Sequence, residues 1–465
     1  MFFLVISSIL VLLQAPAMER FPEIQPGMVL DNLPCRQAPG QSYAAYLPKS
    51  YSTRSLWPVI LIFEPAARGK LPVERFSKAA ETFGYLLFAS NNSRNYDEAL
   101  IADSVEALWQ EVMQNYPVDP KRIYVAGMSG GARVATRLAD HGHNIAGVLP
   151  CAAGYGNGSG PSKDDSYVFA GMMGTRDFNF TEFKRLEPQL ENAGIAFRMF
   201  YFDGYHGWPP ESVCLEAVEW IDLQAMKRGL KAHDLSWLKS YKDDQIKEIS
   251  SKWASGEKAN AFVQLKQLLL DLQGLVNTDG CADLLQEYES SKELARQLKI
   301  DQKIIDLEQR QQNPYFQRLK YIGYHAYEED QGRANLAWLK KAYPRLEKKA
   351  KAEDSLAKKA MYHRIQLALQ TFCLEMMIVS MKSDRLTLAD RYAAYGLAMN
   401  EKSPMLNYNL ACLRTRQERH EDALDLLEVL VEKGQVRRST LASDSDLDAL
   451  RPFDRFKKML AELGP

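Results

Sequence analysis

The stretch Arg122-Ile123-Tyr124-Val125-Ala126-Gly127-Met128-Ser129-Gly130-Gly131 decides how this chain folds. Ile123 to Ala126 run without a polar break, the mark of a short buried strand. Residues 132–140, directly after it, carry apolar residues at helical spacing. Between the two stands G-x-S-x-G. A serine at such a strand-to-helix turn sits on a strained backbone that lifts its hydroxyl above the sheet, where a nucleophile must be. Gly127 and Gly131 leave room for the turn and for packing beneath it. The Gly130 N–H, at the helix start, is a donor for a developing oxyanion.

Similar apolar, β-branched or aromatic runs recur on both sides, at residues 43–47, 59–63, 85–89, 145–149, 167–172 and 197–202. Between them lie helix-length stretches, among them 100–116, 181–193 and 211–228. This alternation predicts an α/β fold, a mostly parallel sheet covered by helices on both faces. The continuous apolar character of the later strands agrees with burial on both sides.

A serine nucleophile needs a base, and the base needs an orienter. In this motif's setting the order along the chain is serine, acid, histidine. His141 and His143 follow the helix that begins at the serine. At about 1.5 Å per residue they lie at its far end. His206, in Asp203-Gly204-Tyr205-His206-Gly207-Trp208, follows the 197–202 strand and so shares the serine's edge of the sheet. For the acid, Asp177 follows the 167–172 strand in Gly174-Thr175-Arg176-Asp177; Asp203 is the alternative, and Asp164 and Asp165 precede the strand at its wrong end. The second oxyanion donor is expected in the loop Glu64-Pro65-Ala66 after the 59–63 strand. Pro65 has no N–H, so the donor is Glu64 or Ala66, with Glu64 taken first. Tyr155, Trp208, Met172 and Met173 fall near the same edge and are expected to line the acyl pocket.

Residues 41–229 resemble the α/β-hydrolase fold, and most of all the esterase family of polyhydroxybutyrate depolymerases and feruloyl esterases. The resemblance is carried by Gln41-Ser42-Tyr43-Ala44-Ala45-Tyr46-Leu47-Pro48, by Val118-Asp119-Pro120-Lys121-Arg122 continuing through Gly131, and by Asp203 to Trp208. It implies Ser129 as nucleophile, Asp177 as acid and His206 as base, with no metal or organic cofactor. Two departures stand out. The family commonly has His-Gly where this chain has Glu64-Pro65, and no lid or carbohydrate-binding module is inserted.

The rest of the chain is built differently. Residues 1–230 hold 19 of the 27 glycines and 16 of the 21 prolines, so turn-rich chain comes first and helix-friendly chain second. Within residues 370–465, Asn407-x-x-Leu410-Ala411-x-x-Arg414 followed by Ala423-x-x-x-Leu427 matches the tetratricopeptide spacing, in which small residues let two helices approach. Ala389, Ala393 and Leu397 fit a weaker copy. Leu447, Leu450, Phe453 and Phe456 fit a capping segment. The expected organisation is therefore a signal peptide (1–17), an α/β-hydrolase catalytic domain (28–229), a helical region (230–369) and tetratricopeptide-like repeats with a cap (370–465). Such repeats suit a protein or peptide partner.

The signal peptide is read from the apolar run 2–13, too short to span a bilayer, and from Ala15-Pro16-Ala17, a small-x-small cleavage site. It predicts export to the periplasm or beyond. No lysine or arginine follows Met1. In an exported protein Cys35 and Cys214, at the start and last helix of the catalytic domain, could pair. Hydrophobic residues make up 46% and charged residues 25% of the 465, and the net charge is −1. That is globular composition without a pull toward nucleic acid, and no later segment reaches transmembrane length. The function expected is a serine esterase acting on carboxylic esters. The alternatives are a peptidase on the same machinery, or an interaction scaffold with a weak or silent hydrolase domain, which the Glu64-Pro65 loop keeps in view.

Overall fold

The structure, a computed structural model, describes residues 24–140, 143–156, 158–323 and 328–464. The expected signal peptide and His141 lie outside them.

Eight strands form one sheet: β1 (Val29–Pro34), β2 (Ser42–Tyr46), β3 (Trp57–Phe63), β4 (Leu86–Ser90), β5 (Val118–Met128), β6 (Ile145–Cys151), β7 (Val168–Gly174) and β8 (Phe197–Phe202). Their spatial order is β1-β2-β4-β3-β5-β6-β7-β8. The six from β4 to β8 in that order run parallel, and β1 and β2 are added antiparallel. The intervening helices are α1 (Lys70–Phe83), α2 (Glu98–Asn115), α3 (Gly130–Asp140), α4 (Phe180–Ala193) and α5 (Glu211–Lys227). This is the α/β-hydrolase architecture. Alternate residues of each strand feed opposite faces. Ile60 and Ile62 pack with Phe76 of α1 and Trp220 of α5, whereas Val59, Leu61 and Phe63 pack with Leu108, Leu138 and Leu190 of α2, α3 and α4. Val59 through Phe63 are at most 1% exposed, each worth roughly 1.5–3 kcal/mol on burial.

β1 goes beyond the sequence reading. Val29–Pro34 contains Asp31, Asn32 and Pro34, which hide a strand, and its pairing with β2 shifts register between Leu30 and Leu33. Polar residues and proline are tolerated there because an edge strand has one open side.

All six cysteines are free and buried, which corrects the expected Cys35–Cys214 pairing. Cys35 packs with one face of the sheet and Cys214 with the other, so the sheet itself separates them.

Beyond Gly229, whose φ of 68° ends α5, the chain is helical: α6 (Leu235–Ala254), α7 (Lys258–Leu272), α8 (Asp279–Glu289), α9 (Lys292–Tyr321), α10 (Glu329–Ala352), α11 (Leu356–Lys382), α12 (Leu386–Asn400), α13 (Pro404–Arg416), α14 (His420–Glu432), α15 (Arg438–Ser443) and α16 (Asp454–Glu462). Two cores divide them. One joins Leu223 and Met226 of α5 to α6, α7 and α8; the other runs from Ile304 of α9 to Met459 of α16. α11 is unbroken across residues 369 and 370, so the boundary expected there falls inside a helix and inside one core. α13 packs on α14, and Ala411 and Ala423 are fully buried. Arg414 pairs with Asp390 of α12. Leu447, Leu450 and Phe456 are sealed from solvent. Among the described residues no helix is long and apolar enough to cross a membrane.

Candidate active site

Ser129 stands between β5 and α3 with φ 54°, a left-handed backbone that a non-glycine residue adopts only under constraint. The constraints are visible. Its N–H donates to the Cys151 carbonyl at the end of β6 (2.9 Å), and its own carbonyl accepts from Ala132 N–H as α3 begins (3.0 Å). The glycines around it are required by contact. A Cβ on Gly127 would lie 2.1 Å from the Gly131 carbonyl oxygen, and one on Gly131 would lie 2.0 Å from that of Phe63. A Cβ on Gly130 would meet the Asn95 carboxamide at 1.8 Å. Asn95, in the loop between β4 and α2, is thus a neighbour of the elbow that sequence reading missed.

Parallel strands bring the ends of β5, β7 and β8 to one edge. There the structure joins Asp177 to His206: Nδ1 of the imidazole is 3.0 Å from each oxygen of the carboxylate. Asp177 is sealed from solvent, while His206 is 23% exposed at the surface. The carboxylate also accepts the Asn179 N–H (2.8 Å), and Phe178 stacks on the imidazole at 4.3 Å. Asp203, the alternative acid, points away. Its carboxylate is 82% exposed and pairs with Arg176 at 2.8 Å. Cys151 links this pair to the elbow, because its carbonyl holds Ser129 while its thiol donates to the Gly207 carbonyl (3.3 Å). Burial first, then the charges of Cys214 and Asp177, push that thiol well above its ordinary range, so it stays protonated.

The loop after β3 is built on the Glu64 side chain. Fully buried, it accepts the Ala66 N–H (2.7 Å) and the Arg68 N–H (3.1 Å), and pairs with the Arg68 guanidinium. The Ala66 N–H is therefore committed. The Glu64 N–H lies beside the elbow, 3.3 Å from where a Gly131 Cβ would be.

Three of the expected pocket residues need correction. Met172 and Met173 have no exposed surface: a strand covered on both faces sends neither of two successive side chains to solvent. Tyr155 is also core, stacked on Phe169 and hydrogen-bonded to the Tyr167 hydroxyl (2.8 Å). Trp208 does border the site. It packs edge-on against Phe76 (6.2 Å) and, with Arg75, Phe202, Tyr205, His206 and Pro210, lines a cavity of about 300 Å³.

The helical region reaches this edge through α11, which no local sequence signal announced. Arg364 donates to the Thr175 carbonyl (2.7 Å), His363 meets the Tyr205 ring (5.0 Å), and Lys382 donates to the Tyr96 carbonyl (3.3 Å). Residues 364, 375 and 382 recur after about three and two turns, so they share one helix face. Glu375, between the two anchors, is raised above the usual carboxylate range by burial, offset by His206, Arg133 and a hydrogen bond with Tyr96. Away from this edge, Cys412, Asp444 and Asp446 come within 4.8 Å of one another. Asp444 there accepts from the Tyr408 hydroxyl (2.6 Å), and burial keeps the Cys412 thiol protonated.

Neither a protein-family profile nor any curated protein matches the chain. Solved structures do. S-formylglutathione hydrolase from Staphylococcus aureus is 16% identical, over 42% of this chain and 95% of its own, with a TM-score of 0.34. A hyperthermophilic esterase from the archaeon Pyrobaculum calidifontis is 12% identical, over 43% of this chain and 87% of its own, TM-score 0.36. A ferulic acid esterase is 16% identical, over 39% of this chain and 91% of its own, TM-score 0.33.

Proposed function

We propose that the protein is a serine esterase with Ser129, His206 and Asp177 as its catalytic groups. The observation that carries this reading is the sealed Asp177 carboxylate with both oxygens 3.0 Å from His206 Nδ1, on the same sheet edge as a serine held at φ 54°. That carboxylate keeps the proton on Nδ1, leaving Nε2 as the base. Nε2 takes the Ser129 hydroxyl proton as Oγ attacks the ester carbonyl carbon, and returns it to the departing alcohol. An acyl-enzyme results, and water activated by the same nitrogen hydrolyses it. General base catalysis of this kind contributes about 10²–10⁴-fold. The oxyanion is received by the Gly130 N–H at the start of α3 and by the Glu64 N–H. One such donor is worth about 10²–10³-fold.

The test is labelling with a fluorophosphonate probe. The parent is expected to label, and Ser129→Ala and His206→Ala are not; a parent that stays unlabelled refutes the proposal. Among labelled protein's substrates, p-nitrophenyl acetate and butyrate should turn over and a panel of peptide amides should not. Export is part of the same proposal, resting on the 2–13 apolar run and Ala15-Pro16-Ala17, and N-terminal sequencing of protein from the natural host tests it. For α13 and α14, the buried Ala411 and Ala423 support a tetratricopeptide-like hairpin and with it a peptide partner. Substitutions on those helices that leave esterase activity intact but abolish partner capture are the expected result.

A further inference from the structure

Arg364 lies 189 residues along the chain from Thr175, yet its Nη1 donates to the Thr175 carbonyl at 2.7 Å. The rest of its guanidinium is committed to α9. Nε donates to the two Glu308 carboxylate oxygens at 3.0 and 3.2 Å, and Nη2 bonds the second of them. Both side chains are almost sealed, at 4% and 2% exposure. The guanidinium carbon also sits 4.4 Å from the centre of the Phe180 ring, at the first residue of α4. Tying the helical region to the sheet would need only contact somewhere along α11. This arginine instead gives its fourth hydrogen bond to the loop that carries Asp177.

The loop is also held from the sheet side, where Arg176 Nη1 donates to the Tyr205 hydroxyl (3.0 Å) and the Asp177 N–H to the Gly174 carbonyl (3.0 Å). Thr175 and Arg176 give their N–H groups to the Phe202 and Gly204 carbonyls (2.8 and 2.9 Å), and Asn179 Nδ2 reaches the Ala152 carbonyl (2.9 Å). These hold the loop to the strand ends of β6 and β8. Arg364 holds it from the helical side, through the carbonyl two residues before the carboxylate, while its planar fork is fixed by Glu308. His363, the preceding residue, contacts Tyr205, which neighbours His206. One turn of α11 therefore touches both the acid loop and the histidine loop.

We propose that Arg364 is a positioning residue of the catalytic site, holding the acid loop through the Thr175 carbonyl so that Asp177 keeps both oxygens on the His206 imidazole. The proposal rests on the serine-hydrolase reading above. It makes the helical region a working part of the catalytic unit.

The test compares the full-length parent with Arg364→Lys and with the double variant Arg364→Met/Glu308→Leu. Replacing both members of a buried ion pair by apolar residues of similar size commonly preserves stability, so the double variant removes the bond to Thr175 while keeping the packing. The readouts are kcat and KM on p-nitrophenyl butyrate, and the downfield proton resonance of His206 Nδ1–H against Asp177. The double variant is expected to lose about 10²-fold in kcat, the effect of a displacement of about 1 Å, with KM within about twofold. Its downfield resonance should shift or broaden. Arg364→Lys, with a point charge in place of a fork, should fall between. Parent kcat and parent resonance in the folded double variant overturn the proposal. If circular dichroism shows the double variant unfolded, Arg364→Lys decides on the same two readouts: a loss of about tenfold or more with a moved resonance supports it, and parent values overturn it. A parent that neither labels with fluorophosphonate nor turns over ester overturns the hydrolase reading itself, and this proposal with it.

Discussion

Gly131→Ala puts the elbow geometry at risk most directly. A Cβ at this position would stand 2.0 Å from the Phe63 carbonyl oxygen, 2.7 Å from its carbonyl carbon and 3.3 Å from the Glu64 nitrogen. All three are backbone atoms at the end of β3, so no side chain can rotate out of the way. Ordinary carbon-to-carbonyl-oxygen contacts are about 3.3–3.6 Å. The start of α3 must then move from β3 by more than about 1 Å. Overpacking usually costs about 1–3 kcal/mol, and rigid backbone on one side puts this case at the top, about 3 kcal/mol. At roughly 2–4 °C per kcal/mol for a domain of this size, Tm should fall by about 6–12 °C. The same displacement separates the Gly130 N–H from the Glu64 N–H, so fluorophosphonate labelling should slow by about 10²-fold. Gly160→Ala is the control. Nothing lies within 4 Å of a Cβ there, and the change should stay within about 0.5 kcal/mol. Differential scanning calorimetry and labelling rates measure both. If Gly131→Ala matches Gly160→Ala in Tm and labels at the parent rate, the close approach of α3 to β3 is wrong, and with it the placement of Ser129.

Three further outcomes can be checked. Asp177→Asn should lower kcat on p-nitrophenyl butyrate by about 10²–10⁴-fold with KM little changed, since the amide no longer holds the imidazole in the right tautomer; an unchanged kcat would remove Asp177 from the mechanism. Glu219 on α5 is raised to about 7, by burial first and then by the neighbouring Glu216, Asp222 and Asp244, against the pull of Arg198. A raised carboxyl binds its proton more tightly in the folded state, so its contribution is fully present below about 4.5 and is lost as pH rises to about 7. Glu219→Gln should therefore match the parent in urea unfolding at pH 4 and exceed it at pH 8 by about 1 kcal/mol, after allowing for screening; equal stability at pH 8 refutes this. With all six thiols free and buried, Ellman's reagent should find essentially none in the folded protein and six in denaturant without reductant. Four would restore the Cys35–Cys214 bridge.

The elbow was legible because its determinants are local: a strand, two glycines at fixed offsets from a serine, and a helix within twenty residues. Asp177 and His206 were legible for a related reason. In a parallel sheet every strand's C-terminal end falls on one edge, so a residue just after a strand is placed by strand order alone. The pocket residues failed where that logic ends. β7 is apolar throughout, with burial on both faces, and such a run carries no alternation from which Met172 or Met173 could be assigned a side. The polar β1 failed in the opposite way, since an edge strand needs few of the residues that advertise one.

α11 marks the division most clearly. Its sequence, apolar on nearly every side, identifies a helix covered all round and nothing more. Met361, Ile365, Leu369 and Cys373 feed the helical core. The face carrying Arg364, Glu375 and Lys382 is assigned to the catalytic edge only once the chain has folded back over 189 residues to Thr175. The sequence by itself pointed to the α/β sheet, the serine turn and a candidate acid and base, because the turn rests on local spacing and the other two on their place directly after parallel strands. Only the tertiary structure decided that Cys35 and Cys214 stand on opposite faces, that Glu64 builds its own loop, and that Arg364 reaches the acid loop, because contacts between distant elements follow from packing and leave no periodic trace in either partner.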